Sequence, residues 1–107
     1  MAYDHSGTVA LADGTRRKVF ELVAAHPRSV ADLARALPVS QPAVSQHLKV
    51  LKEARLVRAV PRGASNIYHL DPQGLGEMRA WLDRMWGEAL EAFAREVSES
   101  EKREKGR

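Results

Sequence analysis

Residues 29–51, SVADLARALPVSQPAVSQHLKVL, contain two short helical patterns separated by a tight turn. Ser29 is of the type that caps a helix, and the apolar residues after it recur at a spacing of three and four until Pro38 ends the pattern. Ser40 caps the second pattern, whose first turn tolerates a proline. Two short helices joined in this way predict a helix-turn-helix.

The second of these helices has an outer surface of small and amide side chains. Val44, Leu48 and Leu51 are spaced to face the core. The other faces carry Gln41, Ala43, Ser45, Gln46 and Lys49. Glutamine and serine can form hydrogen bonds with base edges, and a small alanine permits close approach to a thymine methyl group. The pattern therefore predicts a recognition helix for double-stranded DNA; the alternative is a neutral helix face that has no partner.

A β-hairpin is predicted directly after this helix. Residues 56–60 and 66–70 alternate in polarity and carry valine, isoleucine and tyrosine, which suit strands, and Gly63 in the turn can take a positive φ. The arginine at the tip, Arg62, can reach a phosphate or the minor groove. Further contacts with the DNA backbone are expected from Ser65 and Asn66. The alternative for this tip is a solvated turn.

The last helix is predicted to begin at Asp71 and Pro72 and to run to about Ser98. Its apolar side chains recur at three and four and form a stripe that is too wide for one small domain to cover. Pairing with a second copy would bury the stripe, and a two-fold dimer is the commonest arrangement; a ligand cavity is the alternative use. The expected dimer contacts are Leu75, Met78, Leu82, Met85, Trp86 and Ala89.

A chain of 107 residues supports one domain, here mainly α-helical with a small β-hairpin. Residues 1–10 are expected to form an N-terminal arm or short helix, and residues 11–71 the DNA-binding core, whose first helix Asp13 caps. Residues 72–98 are expected to form the dimerisation helix. Residues 99–107 are expected to form a charged, flexible tail.

The charge is distributed unevenly along the chain. The whole sequence carries a net charge of +3 and has a pI near 9.6. Residues 41–70 contain five basic residues and one acidic residue, a net charge of +4, whereas residues 71–107 contain nine acids and seven bases, a net charge of −2. Positive charge is therefore concentrated in the segment that is predicted to face DNA, where phosphate contacts would use it.

Several classes of protein are disfavoured by what the sequence lacks. It has no cysteine, which excludes disulfides and thiolate metal ligands. The N-terminus does not resemble a secretory signal and no apolar run approaches membrane-spanning length, so no membrane partner is expected and the location is expected to be cytoplasmic. No catalytic motif such as G-x-S-x-G or H-E-x-x-H occurs, and an enzyme is not expected.

Together these motifs resemble the ArsR/SmtB family of winged helix-turn-helix repressors. The resemblance covers about residues 11–93 and depends on LADGTRRKVFELV, SVADLARALPVSQPAVSQHLKVLKEARLV and the hairpin RGASNIYHL. It implies a homodimer, joined through terminal helices, that binds a palindromic operator and blocks transcription. His47 is expected to be partly buried, and Arg55 stands where the family usually has glycine. The family's base-reading positions correspond to Gln41, Pro42, Ser45 and Gln46.

Metal sensing is common in this family but is not expected here. The family's cysteine-bearing site would fall on Ser29 and Ala31, neither of which replaces a thiolate ligand. The family's other site needs a histidine on the last helix, and no histidine follows His69. Neither a metal nor another cofactor is therefore expected. The likeness is closer to the cysteine-free branch of the family, which implies either that no inducer acts or that an unidentified small molecule or protein relieves repression; the sequence does not specify which.

Two alternatives to a simple repressor stay open on the sequence. One is a winged-helix module that binds another protein through its apolar last helix, although that role does not need a basic hairpin. The other is a repressor that responds to a metal or ligand at an atypical site. The sequence does not specify the operator, the regulated genes or the sign of regulation at each promoter.

Overall fold

The computed structural model describes residues 2–106, which form five helices and one antiparallel β-hairpin. The predicted fold class, mainly α-helical with a small hairpin, is confirmed. The elements are α1 (Ser6–Ala10), α2 (Gly14–Ala25), α3 (Val30–Ala36), α4 (Gln41–Glu53), β1 (Val57–Arg62), β2 (Ser65–Leu70) and α5 (Pro72–Lys105).

Helices α2, α3 and α4 begin where the sequence predicts, because each has a capping side chain. Asp13 accepts the N–H of Arg16 at 2.9 Å and caps α2. Ser29 caps α3 through a capping box in which it exchanges hydrogen bonds with Asp32. Ser40 accepts a backbone N–H in the first turn of α4. These caps satisfy amides that have no partner within their own helix.

The capping carboxylates make the stability of the fold depend on acid pH. The N–H of Arg16 lowers the pKa of Asp13, and the N–H of Ser29 lowers that of Asp32, below the usual value of 3.8. Since the folded-state pKa is the lower one, the stabilisation is present above pH 3.8 and is lost as the pH falls through 3.8 to the folded-state value.

We expect the double variant Asp13→Asn/Asp32→Asn to lose less thermal stability than the wild type as the pH falls from about 5 to about 3. Asparagine is a comparable cap, so the two proteins should be close in stability at pH 7. Thermal unfolding followed by circular dichroism at several pH values measures this difference. The control is Asp83→Asn, since Asp83 caps no helix; equal pH dependence in the wild type and the double variant would contradict the prediction.

The core lies between α2, α3, α4 and the start of β1. Helix α4 contributes three residues spaced at three and four, and all three are fully buried, as the sequence predicts. The largest fully buried side chains are Leu33, Leu48, Leu51, Leu56, Val19, Val23, Val44 and Val57. The buried residues of one face hold α4 in place and leave its opposite face free.

Helix α4 ends in a Schellman motif at the position where the related family usually has glycine. The N–H of Leu56 donates to the carbonyl of Leu51 at 3.0 Å, and the N–H of Arg55 donates to Lys52 at 3.0 Å. Arg55 takes the left-handed conformation that this motif requires, with a φ of +60°. Its side chain therefore costs the fold about 1 kcal/mol that a glycine would not.

Strands β1 and β2 form the wing, a hairpin whose register pairs Arg62 with Ser65 and Val57 with Leu70. Gly63 is the first of two turn residues and has a φ of +62°, as a type II′ turn requires. Tyr68 also exchanges backbone hydrogen bonds with Arg28, at 2.8 and 3.2 Å. This extra bridge ties the wing to the residues that precede α3.

Helix α5 is joined closely to the end of α4. The N–H of Asp71 donates to the carbonyl of Leu56 at 2.9 Å, and the N–H of Gly74 donates to that of Arg55 at 2.9 Å. Gly74 is buried, and a Cβ atom there would lie 2.5 Å from the oxygen of Arg55 and 2.6 Å from that of Ala54. The joint between the two helices thus depends on the absence of a side chain at residue 74.

Helix α5 is longer than the sequence pattern predicts. The expected end near Ser98 is wrong, because the helix continues to Lys105 and has 34 residues. Residues 98–105 are rich in glutamate, lysine and arginine, which favour helix, and acids stand four positions before bases at residues 99 and 101. The last residue of the expected tail, 107, lies outside the described residues, as does residue 1 of the expected arm.

The N-terminal arm and α1 pack on the first half of α5. The ring of Tyr3 stacks on Trp81 with their centroids 5.6 Å apart, and His5 meets Trp81 edge-on at 4.9 Å. Gly7 is buried against the same helix, where a Cβ atom would lie 2.8 Å from the terminal methyl carbon of Met78. The aromatic contacts fix the arm against α5.

Candidate nucleic-acid interface

The five positions of α4 expected to contact DNA are all exposed. They are Gln41, Pro42, Ser45, Gln46 and Lys49. At 3.6 residues per turn they occupy a common arc of roughly 140°. Val44, Leu48 and Leu51 occupy the other side of the helix and are fully buried. The structure therefore presents one continuous, mostly uncharged polar surface, which we call the α4 face.

The wing places its predicted contacts at and beside the hairpin tip. Arg62 and Ser65 are the paired residues that flank the turn, and Asn66 follows opposite Pro61. All three predicted residues are exposed. Strand β1 follows α4 directly and packs against it through the buried Leu56–Val57 segment, so the wing is held beside the helix.

The basic side chains of this region form no ion pair among residues 2–106. In the described part of the chain, only two ion pairs form, Arg35 with Asp32 and Arg79 with Asp83. Neither lies in residues 41–70. The basic residues of that segment are exposed and form no ion pair with a carboxylate among residues 2–106; they are Lys49, Lys52, Arg55, Arg58 and Arg62. Basic side chains without an ion-pair partner are suited to contacts with the phosphate backbone of DNA.

His47 is half-buried, as the sequence analysis expects. Its Nδ1 atom is buried and has no hydrogen-bond partner among residues 2–106. The side chain lies near Asp13 at the start of α2. His47 therefore packs between α4 and α2 and is separate from the α4 face.

The residues expected at a dimer contact fall into two groups. Leu75 and Met78 are half-buried and pack against the core of their own chain. Leu82, Met85 and Trp86 are exposed by 51%, 49% and 67%, and Ala89 is exposed as well. Three further exposed residues extend this apolar stripe along α5: Leu90, Phe93 and Val97. Their helical spacing is the signal in the sequence that identifies them.

Sequence reasoning does not find a cavity of about 460 Å³ on the other side of α5. It lies between the N-terminal arm, the end of α4 and the first half of α5, and we call it the arm cavity. Its charged lining residues are Asp4, Glu53, Arg55, Glu77 and Arg84. No short motif connects these residues, because three separate parts of the chain supply them.

The described residues contain no group of three or more histidine, cysteine, aspartate or glutamate side chains that could hold a metal ion. Within residues 2–106, none of the helices combines the length and the apolar character needed to cross a membrane.

Comparison with known proteins connects this geometry to a family. Residues 13–59, which comprise α2, α3, α4 and the start of the wing, match the family of bacterial regulatory proteins named arsR. The HTH-type transcriptional regulator Rv2034 of Mycobacterium tuberculosis is 59% identical over 85 residues, which cover 79% of each chain.

More distant relatives extend the comparison. The transcriptional repressor SdpR of Bacillus subtilis is 30% identical over 73 residues, 68% of this chain and 81% of its own. A solved structure from Mycobacterium bovis, the homodimeric winged helix-turn-helix DNA-binding domain of a possible ArsR-family regulator, is similar with a TM-score of 0.62 and 26% identity, and covers 78% of this chain and 77% of that one. With its α4 face, its wing and these relatives, the chain belongs to the arsR family of DNA-binding transcriptional regulators.

Proposed function

We propose that this regulator is a repressor that binds an inverted-repeat operator as a homodimer. The observation that carries the proposal is the α4 face, an exposed surface of glutamine and serine whose opposite side is fully buried. Such a surface meets base edges without the electrostatic bias of charged side chains. The basic side chains around it, which form no ion pair among residues 2–106, attract DNA phosphates whatever the DNA sequence.

In this proposal, the α4 face reads bases and the wing fixes the position on the duplex. Gln41, Ser45 and Gln46 form hydrogen bonds in the major groove, while Pro42 packs at the start of the helix. Lys49 contacts a phosphate. At the wing, Arg62 reaches a phosphate or the minor groove, and Ser65 and Asn66 contact the DNA backbone.

The second copy covers the apolar stripe of α5. Trp86 and Phe93 are exposed by 67% and 66%, and the stripe that includes them runs from Leu82 to Val97. Fifteen residue steps of helix correspond to about 22 Å. A continuous apolar surface of this length is typical of an interface. A two-fold axis through it would place two α4 faces on one duplex, as an inverted repeat requires.

We expect Gln46→Ala to weaken operator binding by about 1–3 kcal/mol and to relax the preference for one base, because a base-edge hydrogen bond is lost. The matched comparison on the same helix is Lys49→Ala, which should weaken binding to all sequences and lower the slope of log K against log salt by about 1. Footprinting on the DNA upstream of its own gene identifies the operator, and fluorescence anisotropy with point-mutated operators measures both effects.

The proposal fails if random duplex competes as well as the footprinted fragment, which would favour a protein-binding module. If Gln46→Ala lowered the affinity equally for every DNA sequence, only the role of Gln46 in reading bases would be refuted. Repeating the footprint with metals and with a chelator tests the expectation that no metal relieves repression; release at micromolar metal would overturn that expectation.

A further inference from the structure

The arm cavity joins three parts of the chain that serve different purposes. Tyr3 belongs to the N-terminal arm, Arg55 to the end of the recognition helix α4, and Glu77 and Arg84 to α5. Its volume of about 460 Å³ lies within the range of small-molecule sites. A ligand there would contact the arm, the DNA-reading helix and the proposed dimerisation helix at once.

Charges of both signs line the arm cavity without pairing with one another. Arg55 and Arg84 supply two guanidinium groups, and Asp4, Glu53 and Glu77 supply three carboxylates, of which Asp4 accepts two hydrogen bonds from Ser6. Within residues 2–106, none of the other four charged side chains takes part in an ion pair or a side-chain hydrogen bond. All four are exposed, so their charged groups are hydrated and accessible to a ligand.

Both strained backbone positions of the described chain are at this cavity. Among residues 2–106, the non-glycine residues with positive φ are His5, at +63°, and Arg55, at +60°. His5 lies between Asp4 and Ser6, which line the cavity. A glycine at position 55 would adopt this conformation freely, whereas Arg55 takes it at the cost of backbone strain.

The arm cavity is not on the surface that the proposed second copy covers. At 3.6 residues per turn, Glu77, Ala80 and Arg84 lie on the opposite side of α5 from Met85 and Phe93 in the apolar stripe. The α5 wall of the arm cavity therefore faces away from the stripe.

We propose that the arm cavity binds a small zwitterion of amino-acid size and that this binding regulates the affinity for DNA. Arg55 and Arg84 receive the carboxylate, since guanidinium groups bind carboxylates through paired hydrogen bonds. Glu53 and Glu77 receive the ammonium group. The ring of Tyr3, held against Trp81, forms an aromatic wall.

The link to DNA binding follows from the joint between α4 and α5. Arg55 carries both the guanidinium that meets the ligand and the carbonyl that accepts the N–H of Gly74. A ligand that bridges Arg55 to Arg84 therefore restrains the angle between the two helices. This inference rests on the proposed function, because it regulates the binding that the α4 face performs.

The test is titration of the full-length protein with each standard L-amino acid, followed by thermal unfolding and calorimetry. We expect at least one to raise the unfolding midpoint and to change operator affinity about fivefold or more. Its N-acetyl and carboxamide derivatives, which each lack one charge, should not bind. If no amino acid binds, or if the derivatives bind equally well, the zwitterion site is refuted.

Two variants separate binding from folding. Arg55→Gly should raise the unfolding midpoint of the free protein by about 4 °C, because the strained φ is relieved, and should weaken amino-acid binding at least roughly tenfold. Arg84→Gln should weaken binding to a similar extent. The control, Arg95→Gln, lies farther along α5 and should bind normally. Unchanged binding by Arg55→Gly would overturn the assignment.

The two proposals fail separately. Operator binding measured without any amino acid tests the repressor alone. Normal operator binding that no amino acid alters would refute the regulatory site and leave the repressor standing, whereas absent operator binding with intact amino-acid binding would refute the repressor and its regulation and leave only the amino-acid site standing.

Discussion

Replacing Gly74 with alanine is expected to lower the free energy of unfolding by about 3 kcal/mol. The added Cβ would lie 2.5 Å from the carbonyl oxygen of Arg55 and 2.6 Å from that of Ala54. Both atoms belong to the backbone of the Schellman motif, so no side-chain rotation relieves the clash. Helix α5 would have to move away and break the hydrogen bond from Gly74 to Arg55. Urea unfolding followed by circular dichroism measures the loss.

Gly76→Ala is the matched control, because it makes the same substitution two residues further along α5. A Cβ at Gly76 meets no atom within 4 Å. Alanine favours helix over glycine by about 0.5–1 kcal/mol, so this variant should be more stable than the wild type. Opposite signs for the two variants are the expected result. A Gly74→Ala protein as stable as Gly76→Ala would show that the joint is not tight.

The second large effect is expected from Trp86→Glu, which should convert the proposed dimer to a monomer. Trp86 is 67% exposed in the single chain, so glutamate there does not disturb the protomer. In the dimer it would bury an unpaired charge against an apolar surface. Operator affinity should fall by about a hundredfold or more, since one half-site no longer reinforces the other. Analytical ultracentrifugation and anisotropy measure these changes.

Ser98→Glu controls for the added charge, since it lies on the same helix, is exposed and faces away from the apolar stripe. It should remain dimeric and bind the operator with an affinity close to that of the wild type. If Trp86→Glu sediments as a dimer, the stripe of α5 is not the contact between copies.

The helix-turn-helix could be predicted because its signals are local. Ser29 and Ser40 each bond to an amide three residues later, and the buried residues of α4 repeat with the period of a helix. The two-residue turn of the wing follows in the same way from Gly63. Each of these features depends on residues that are close in sequence, so short stretches of the chain suffice to specify them.

The joint, the arm cavity and the end of α5 could not be predicted, for different physical reasons. Gly74 matters because of the carbonyl of Arg55, and the sequence pattern of α5 alone does not show this approach. The cavity combines residues from positions 2 to 84, a separation in sequence that periodicity does not bridge. The end of α5 was misplaced because charged residues suit both a frayed tail and a solvated helix, and no proline intervenes before Lys105.

The tight contact at Gly74 has a consequence for operator architecture. In each protomer, α5 is about 51 Å long, and its first turn is hydrogen-bonded to the end of the DNA-reading helix α4. In the proposed dimer, the angle at which the two α5 helices cross then sets the distance between the two α4 faces. Half-sites must match that separation, near one turn of the double helix or a multiple of it. Substitutions that loosen the joint at Gly74 should broaden the range of distances between half-sites that the protein tolerates.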